Sequence, residues 1–301
     1  MRIRNMLAAL SGLVALTGCG EKILSGTDTV LPEAAYIRYV NAVPDTSSLD
    51  FRFVDGGIEG SPQYANVPFR SFTAYQRIRP GSRQMKVFTN PNAYASSAAV
   101  AVQVHVDTTF TFEPNARYTI ISHGFSRTGQ TPKARLVIIR DELPATLTAT
   151  QVGVRTIHGA LGVGNVDVYV RPSEVTPTTI SGAPTFANLA PLGVTLASPI
   201  GVSAYVALTA RPVGALSYRW DVAPAGTTTA IPLATFAGFG LPGIVGTAAQ
   251  NPLAGFQVGR TAVTVLIVGP SVVGSRAPSA AAFTSATAIF MPDKALDSTE
   301  P

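Results

Sequence analysis

The chain has one cysteine, three histidines and one tryptophan in 301 residues, and these scarcities remove whole classes of chemistry. A single Cys cannot close an internal disulfide. That thiol and three scattered imidazoles are too few for a four-ligand zinc centre, so no metal site is expected. His105, His123 and His158 each lie in or beside an alternating apolar run. No H-E-x-x-H pair or G-x-S-x-G elbow surrounds them, and such signatures are what would make them chemistry. Charge is thin as well: 13% of residues are charged, the formal net charge is +5, and there is no Lys/Arg block. Nucleic acid is therefore excluded as a partner. No glycine-rich loop opens onto a helix, which removes nucleotide binding, and no cofactor is implied. A hydrophobic content of 46% rules out wholesale disorder.

The chain does have a signal at its N-terminus. Arg2 and Arg4 precede an apolar stretch from Met6 to Leu16, then the small residues Thr17 and Gly18, Cys19, and an abrupt polar stop at Gly20-Glu21-Lys22. The apolar part is too short for a spanning helix, which needs about 20 residues, and has the layout of a cleaved export signal. Leu16-Thr17-Gly18-Cys19 resembles the lipobox of bacterial lipoproteins. The resemblance implies that residues 1–18 are removed and that the Cys19 thiol takes a diacylglyceryl group. Buried acyl chains contribute about 0.8 kcal/mol per CH₂, enough to hold the protein on a membrane through Cys19. Gly20 in place of an Asp implies the outer membrane if the host is Gram-negative. The loss of Arg2 and Arg4 leaves a mature charge of about +3.

A repeat organises the rest. Ile37 through Phe53 aligns without gaps to Val154 through Val170, so that Arg38 meets Arg155 and Asp50 meets Asp167 at an offset of 117. Tyr64-Ala65-Asn66-Val67 then matches Phe186-Ala187-Asn188-Leu189 at 122, and Thr73-Ala74-Tyr75 matches Ser203-Ala204-Tyr205 at 130. Tyr118 to Gly124 matches Val263 to Gly269 at 145, and Val137 to Asp141 matches Ile289 to Asp293 at 152. The offset only grows, as expected when two copies keep their strands and one lengthens its surface loops.

These segments alternate with a period of two, are rich in Val, Ile, Thr, Phe and Tyr, and are bounded by Pro, Gly, Asp and Ser; such runs form half-buried strands. Further strands are expected at Tyr75–Ile78, Gln84–Phe88, Val100–Val106, Thr109–Phe112, Tyr118–His123 and Leu136–Ile139. The fold class is all-β: two tandem antiparallel β-sandwich domains, immunoglobulin-like or transthyretin-like, after the lipoprotein signal peptide. The expected layout is a lipidated tether at 19–33, a first sandwich at 34–146, and a second at 150–297 with longer loops. Because the join between them is short, the two should pack together. The pattern Ile37-Arg38, Asn41-Ala42-Val43-Pro44-Asp45, Leu49-Asp50-Phe51, Tyr64-Ala65-Asn66-Val67-Pro68-Phe69 and Pro80-Gly81 resembles the bacterial exported repeat known as domain of unknown function 4397. The likeness is weaker in the second copy, where Leu161 replaces Pro44. It implies a secreted or surface-anchored protein and carries over no catalytic residue.

Four residues invite a structural reading: Arg38 with Asp50, and Arg155 with Asp167, are expected as cross-strand ion pairs contributing roughly 0.2–1 kcal/mol each. A basic strip, Arg70, Tyr75, Arg77, Arg79, Arg83 and Lys86, is a candidate contact for an anionic polymer or glycan, because guanidinium groups recognise carboxylates and aromatic faces stack on sugars. The uncharged stretch Ile231 to Phe256, with Phe236, Phe239, Leu241 and Ile244, is expected to tuck against the second sandwich. The resulting expectation is a non-enzymatic, lipid-anchored envelope protein with a structural, adhesive or binding role and an envelope polysaccharide or protein as partner. The rival reading is an envelope enzyme or glycan-processing accessory protein with a cleft between its domains.

Overall fold

The computed structural model describes residues 33–55, 63–89, 103–172, 180–193, 200–212, 217–228, 235–237 and 254–295. Cys19, its tether and most of the Ile231–Phe256 stretch lie outside the described residues. Among the described residues there is one 3-10 turn, Ala281–Phe283, and otherwise strands and loops. Among the described residues no helix is long and apolar enough to cross a membrane.

The described strands, seventeen in all, form four sheets. The first sandwich has an inner sheet of β1 (Ala35–Ala42), β4 (Ser71–Phe72), β5 (Gln76–Ile78), β8 (Arg117–His123) and β9 (Arg135–Arg140). Its outer sheet runs β3-β2-β6-β7, with β2 at Ser48–Phe53, β3 at Gln63–Pro68, β6 at Gly81–Thr89 and β7 at Val104–Phe112. The second sandwich has an inner sheet in the order β13-β10-β16-β17, at Val206–Thr209, Gln151–Gly159, Thr261–Val268 and Thr287–Ala295. Its outer sheet runs β12-β11-β14-β15, at Phe186–Leu189, Val166–Pro172, Tyr218–Pro224 and Thr235–Ala237. The outer sheets share one strand order, and the inner sheets differ by one strand: β4 and β5 both pair with β1, whereas β13 is the one described strand on that side of β10.

Not every pair is antiparallel. β1 runs parallel to β8 and β10 parallel to β16. After β1 the chain passes through β2 and β3 of the outer sheet, returns to the inner sheet as β4 and β5 along one edge of β1, crosses the outer sheet again as β6 and β7, and comes back as β8 on the other side of β1 and in its direction. Side-chain alternation reports which face a residue occupies and is silent on strand direction, so these two parallel pairs within otherwise antiparallel sheets left no mark in the residue pattern. The runs Val100–Val106 and Thr109–Phe112 are also joined, because Val104–Phe112 is one strand.

Each sandwich closes on its own core. In the first, Ile37, Tyr39, Phe51, Met85, Tyr118 and Ile120 are fully buried; in the second, Val154, Val168, Trp220, Phe256, Val263 and Val265 are. A third apolar cluster sits between the two inner sheets and joins Val40, Ile121, Val137 and Ile139 to Ile157, Leu266, Ile289 and Met291. The central inner strands β1, β8, β10 and β16 are therefore buried on both faces, and the layers stack outer, inner, inner, outer. Gly159 lies in this seam: a β-carbon there would come within 2.9 Å of the Ile267 carbonyl oxygen.

Candidate functional site

Charged side chains of both inner sheets meet in the apolar seam. On β1, Arg38 shares its parity with Val40 and Ala42 and so points between the inner sheets; Arg155 on β10 does the same. Both are buried, at 1% and 3% exposure. Each arginine reaches across the seam for its carboxylate. Arg38 Nη2 donates to Asp293 Oδ1 at 2.6 Å and its Nη1 to the Pro292 carbonyl at 3.0 Å. Arg155 Nη2 donates to Asp141.

Two threonines close the circuit. Arg38 Nε donates to Thr119 Oγ1 at 2.8 Å, and that hydroxyl donates to Asp141 at 2.7 Å. Arg155 Nε donates to Thr264 Oγ1 at 2.8 Å, and that hydroxyl donates to Asp293 at 2.9 Å. Six side chains thus form a ring that passes twice between the sandwiches. Tyr75 and Tyr205 cap it: their hydroxyls donate to Asp141 at 2.7 Å and Asp293 at 2.8 Å. Their rings lie 4.8 Å from the Arg38 guanidinium and 4.9 Å from that of Arg155, respectively. The edge segments that carry the tyrosines are pinned by Thr73 Oγ1, which accepts from the Tyr39 N–H, and by Ser203 Oγ, which accepts from the Thr156 N–H.

The electrostatics suit a lock and not a proton shuttle. Burial alone would raise the Asp141 carboxyl, but the Arg155 and Arg38 guanidinium groups override it and hold it below the usual carboxylate range. Burial pushes the Tyr75 and Tyr205 phenols well above their ordinary value. An acid–base catalyst needs a pKa near working pH, and these three groups are moved away from it. Among the described residues no group of three or more His, Cys, Asp or Glu is placed to hold a metal.

The expected ion pairs are corrected by this geometry. Arg38 belongs to an inner sheet and Asp50, on β2, to an outer one, with the sandwich core between them; Arg155 and Asp167 are separated in the same way. The two aspartates share a different task. Asn66 and Asn188 sit in the left-handed region at φ 54° and 50°, where β3 and β12 slip register against their neighbours. Asp50 Oδ1 accepts the Asn66 N–H, and Asp167 Oδ1 accepts the Asn188 N–H, both at 2.7 Å. A bulge leaves a backbone donor outside the ladder, and these carboxylates satisfy it.

The basic strip is dispersed. Arg70 sits at φ 66° and crosses to the second sandwich, donating to the carbonyls of Gly269 and Ala282 at 2.8 Å. Tyr75 belongs to the buried ring. Arg83 is buried over the Phe53 ring and paired with Asp55 at 3.0 Å, and Lys86 is paired with Asp107 at 3.1 Å. Arg77 is exposed on β5 opposite Tyr36 of β1, and Arg79 is exposed just past the end of β5. The six therefore do not make one surface. Of the apolar stretch, Phe256 is fully buried against Trp220, with ring centroids 5.4 Å apart. Of the histidines, His123 Nε2 lies 3.1 Å from the Gly159 carbonyl across the seam, and His158 Nε2 lies 3.0 Å from the Gly164 carbonyl.

The residues that sequence reasoning missed, Thr119, Asp141, Thr264 and Asp293, occupy aligned positions in the repeat registers. Polar residues recurring on the apolar parity of inner strands were the available signal.

A family described as a domain of unknown function (DUF4397) matches residues 35–169, which covers the first sandwich, β10 and the first half of β11. No curated protein matches the chain. Among solved structures, a candidate cell adhesion protein from Parabacteroides distasonis is 12% identical, with 86% of this chain and 98% of that chain covered and a TM-score of 0.20. A candidate adhesin from Bacteroides ovatus is 8% identical, with 80% and 93% covered and a TM-score of 0.21.

Proposed function

We propose that the protein is a non-enzymatic module of the bacterial envelope. It is exported, held to a membrane (the outer one in a Gram-negative host) by acylated Cys19, and serves structure, adhesion or binding. In this reading residues 34–146 and 150–297 are two tandem copies of one domain. The observation that supports it best is the closed ring between the sandwiches. It takes the buried acids and arginines of the seam into a lock, makes one stiff body of two sandwiches, and leaves the loops at the ends for contact. Stiffness serves a binding module because a surface held in place loses less freedom on docking.

Fractionation of cells and labelling with a palmitate analogue test the anchor. Wild-type protein should pellet with membranes and carry label, whereas Cys19→Ala should do neither; a Cys19→Ala protein that stays membrane-bound overturns the anchor. Gentle cross-linking on intact cells should recover an envelope polysaccharide or protein with the wild type. Recovery of nothing beyond an unrelated lipoprotein control overturns the binding role.

A further inference from the structure

The rungs of the two inner sheets correspond pair for pair. In the first, Ile37 stands opposite Gln76, Arg38 opposite Thr119 and Thr119 opposite Ile139. In the second, Val154 stands opposite Val206, Arg155 opposite Thr264 and Thr264 opposite Met291. The single bridge from Ile157 to Val202 stands where Val40 meets Phe72. Matching positions can therefore be assigned from the ladders alone.

Under that assignment the two ion pairs across the seam are each other's reciprocal. Arg38 of the first sandwich takes Asp293 of the second, and Arg155 of the second takes Asp141 of the first. The bonds from arginine to threonine, threonine to aspartate and tyrosine to aspartate all stay inside their own sandwich. The apolar cluster follows the same rule, with Val40 and Ile157, Ile121 and Leu266, and Ile139 and Met291 as matched members. A contact in which residue i meets j and j meets i is isologous, the kind that two identical subunits share across a two-fold axis. Each inner face thus carries a base that needs the partner's acid and an acid that needs the partner's base.

The rim lacks this symmetry. Arg70 crosses to the Gly269 and Ala282 carbonyls, but its aligned position in the second sandwich is Leu192, whose carbonyl accepts from Arg135 at 3.2 Å. The rim therefore favours a first sandwich against a second. The short join adds to that preference, because it gives the two faces a local concentration on the order of millimolar. The centre of the seam has no such preference.

We infer that the inner face of each sandwich is a docking face for the same face on a second copy of this chain, and that rim and join direct it to the neighbouring sandwich within one chain. This deepens the tandem-copy reading and is independent of the Cys19 anchor. Exchanging the charges of one sandwich only, by Arg155→Asp with Asp293→Arg, keeps the net charge and sets like charges against Arg38 and Asp141. Buried like charges oppose closure within the chain, whereas two second sandwiches from different chains still match, as do two first sandwiches. In native mass spectrometry of detergent-solubilised full chains, the wild type should read as one chain and this variant as two or more. Adding Arg38→Asp and Asp141→Arg restores the match within a chain and should restore the single-chain mass. A one-sandwich variant that stays monomeric or aggregates, beside a folded monomeric four-site variant, overturns the inference. Where the four-site variant does not fold, a measurement without charge exchange decides. Full chain with a protease site inserted between the exposed Ala145 and Thr146 is cut after folding, taken through urea and weighed again. First–first and second–second pairs should appear beside first–second pairs, and Arg70→Ala should raise their share. First–second pairs alone, or unpaired halves, overturn self-docking and leave the tandem-copy reading standing, since that rests on the ladders.

Discussion

Replacing Asp293 with Ala tests the seam most directly. The carboxylate accepts from Arg38 at 2.6 Å, from Thr264 at 2.9 Å and from Tyr205 at 2.8 Å. Its removal leaves the Arg38 guanidinium, 1% exposed, with only a carbonyl and a threonine hydroxyl. Breaking a buried pair from one side costs about 3–5 kcal/mol, because the remaining charge keeps its desolvation penalty and loses its partner. With a urea m-value near 2 kcal/mol/M, the unfolding midpoint should drop by about 2 M. Trp220, the single tryptophan and fully buried, supplies the fluorescence signal. The companion Arg38→Met with Asp293→Leu removes both charges and should recover most of the loss, since an apolar pair of similar volume is often neutral or better. Arg38→Met combined with Asp50→Ala should instead be additive to within about 0.5 kcal/mol, as separated sites are. A cost below about 1 kcal/mol for Asp293→Ala, or coupling of Arg38 to Asp50, would refute the reasoning.

Three other outcomes follow from the same packing. Burial, with Arg135 nearby, lowers His123 to about 4, and its Nδ1 is buried with no acceptor among the described residues. Below pH 6.5 the unfolded chain therefore binds a proton that the folded one refuses, and stability falls by roughly 1.4 kcal/mol per pH unit down to about pH 4; urea midpoints at pH 7 and pH 5 should differ, and His123→Val should flatten that dependence. Depression of Asp141 adds a separate loss as pH falls from the unfolded carboxylate range through its lowered pKa. Gly259→Ala should be among the most damaging single changes, because the new β-carbon would lie 1.8 Å from the Ala149 carbonyl oxygen; thermal melts should show loss of the cooperative transition or a drop of more than about 4 kcal/mol. Asp50→Ala and Asp167→Ala should each cost about 1–2 kcal/mol and speed hydrogen exchange at the Asn66 and Asn188 amides, respectively; protection left unchanged would remove the bulge-capping role.

Much of the layering could be read from residue patterns, and the errors have a common origin. Alternation correctly marks Ile37, Tyr39, Phe51 and Phe53 as core. It does not say which strands share a sheet, so the twelve-residue spacing of Arg38 and Asp50 looked like one interaction when it is two. Arg38 serves the seam and Asp50 serves a bulge, and both recur at the same spacing because β1 and β2 recur together. The second buried face was present in the sequence as a contrast. Tyr118-Thr119-Ile120-Ile121-Ser122-His123 and Thr261 to Val268 are apolar on both parities, as strands covered on both sides must be, whereas Val104 to Phe112 alternates with exposed Thr and Asp.

The ring itself was less legible because no single copy contains it. Arg38 and Asp141 both sit on the first sandwich and meet only through Thr119, while the ion pairs run to Asp293 and Arg155 on the second. Aligning the copies shows that Arg, Thr, Tyr and Asp recur, yet equivalent positions in a repeat give no hint that each half completes the other. That reciprocity has an energetic consequence. Opening the seam would expose Val40, Ile121, Ile139, Leu266, Ile289 and Met291, each stabilised by roughly 1.5–3 kcal/mol when buried, and would break both ion pairs at the same step. The apolar contacts supply the attraction. The ring supplies the register, because sliding the sandwiches along their strands would leave four buried charges without partners.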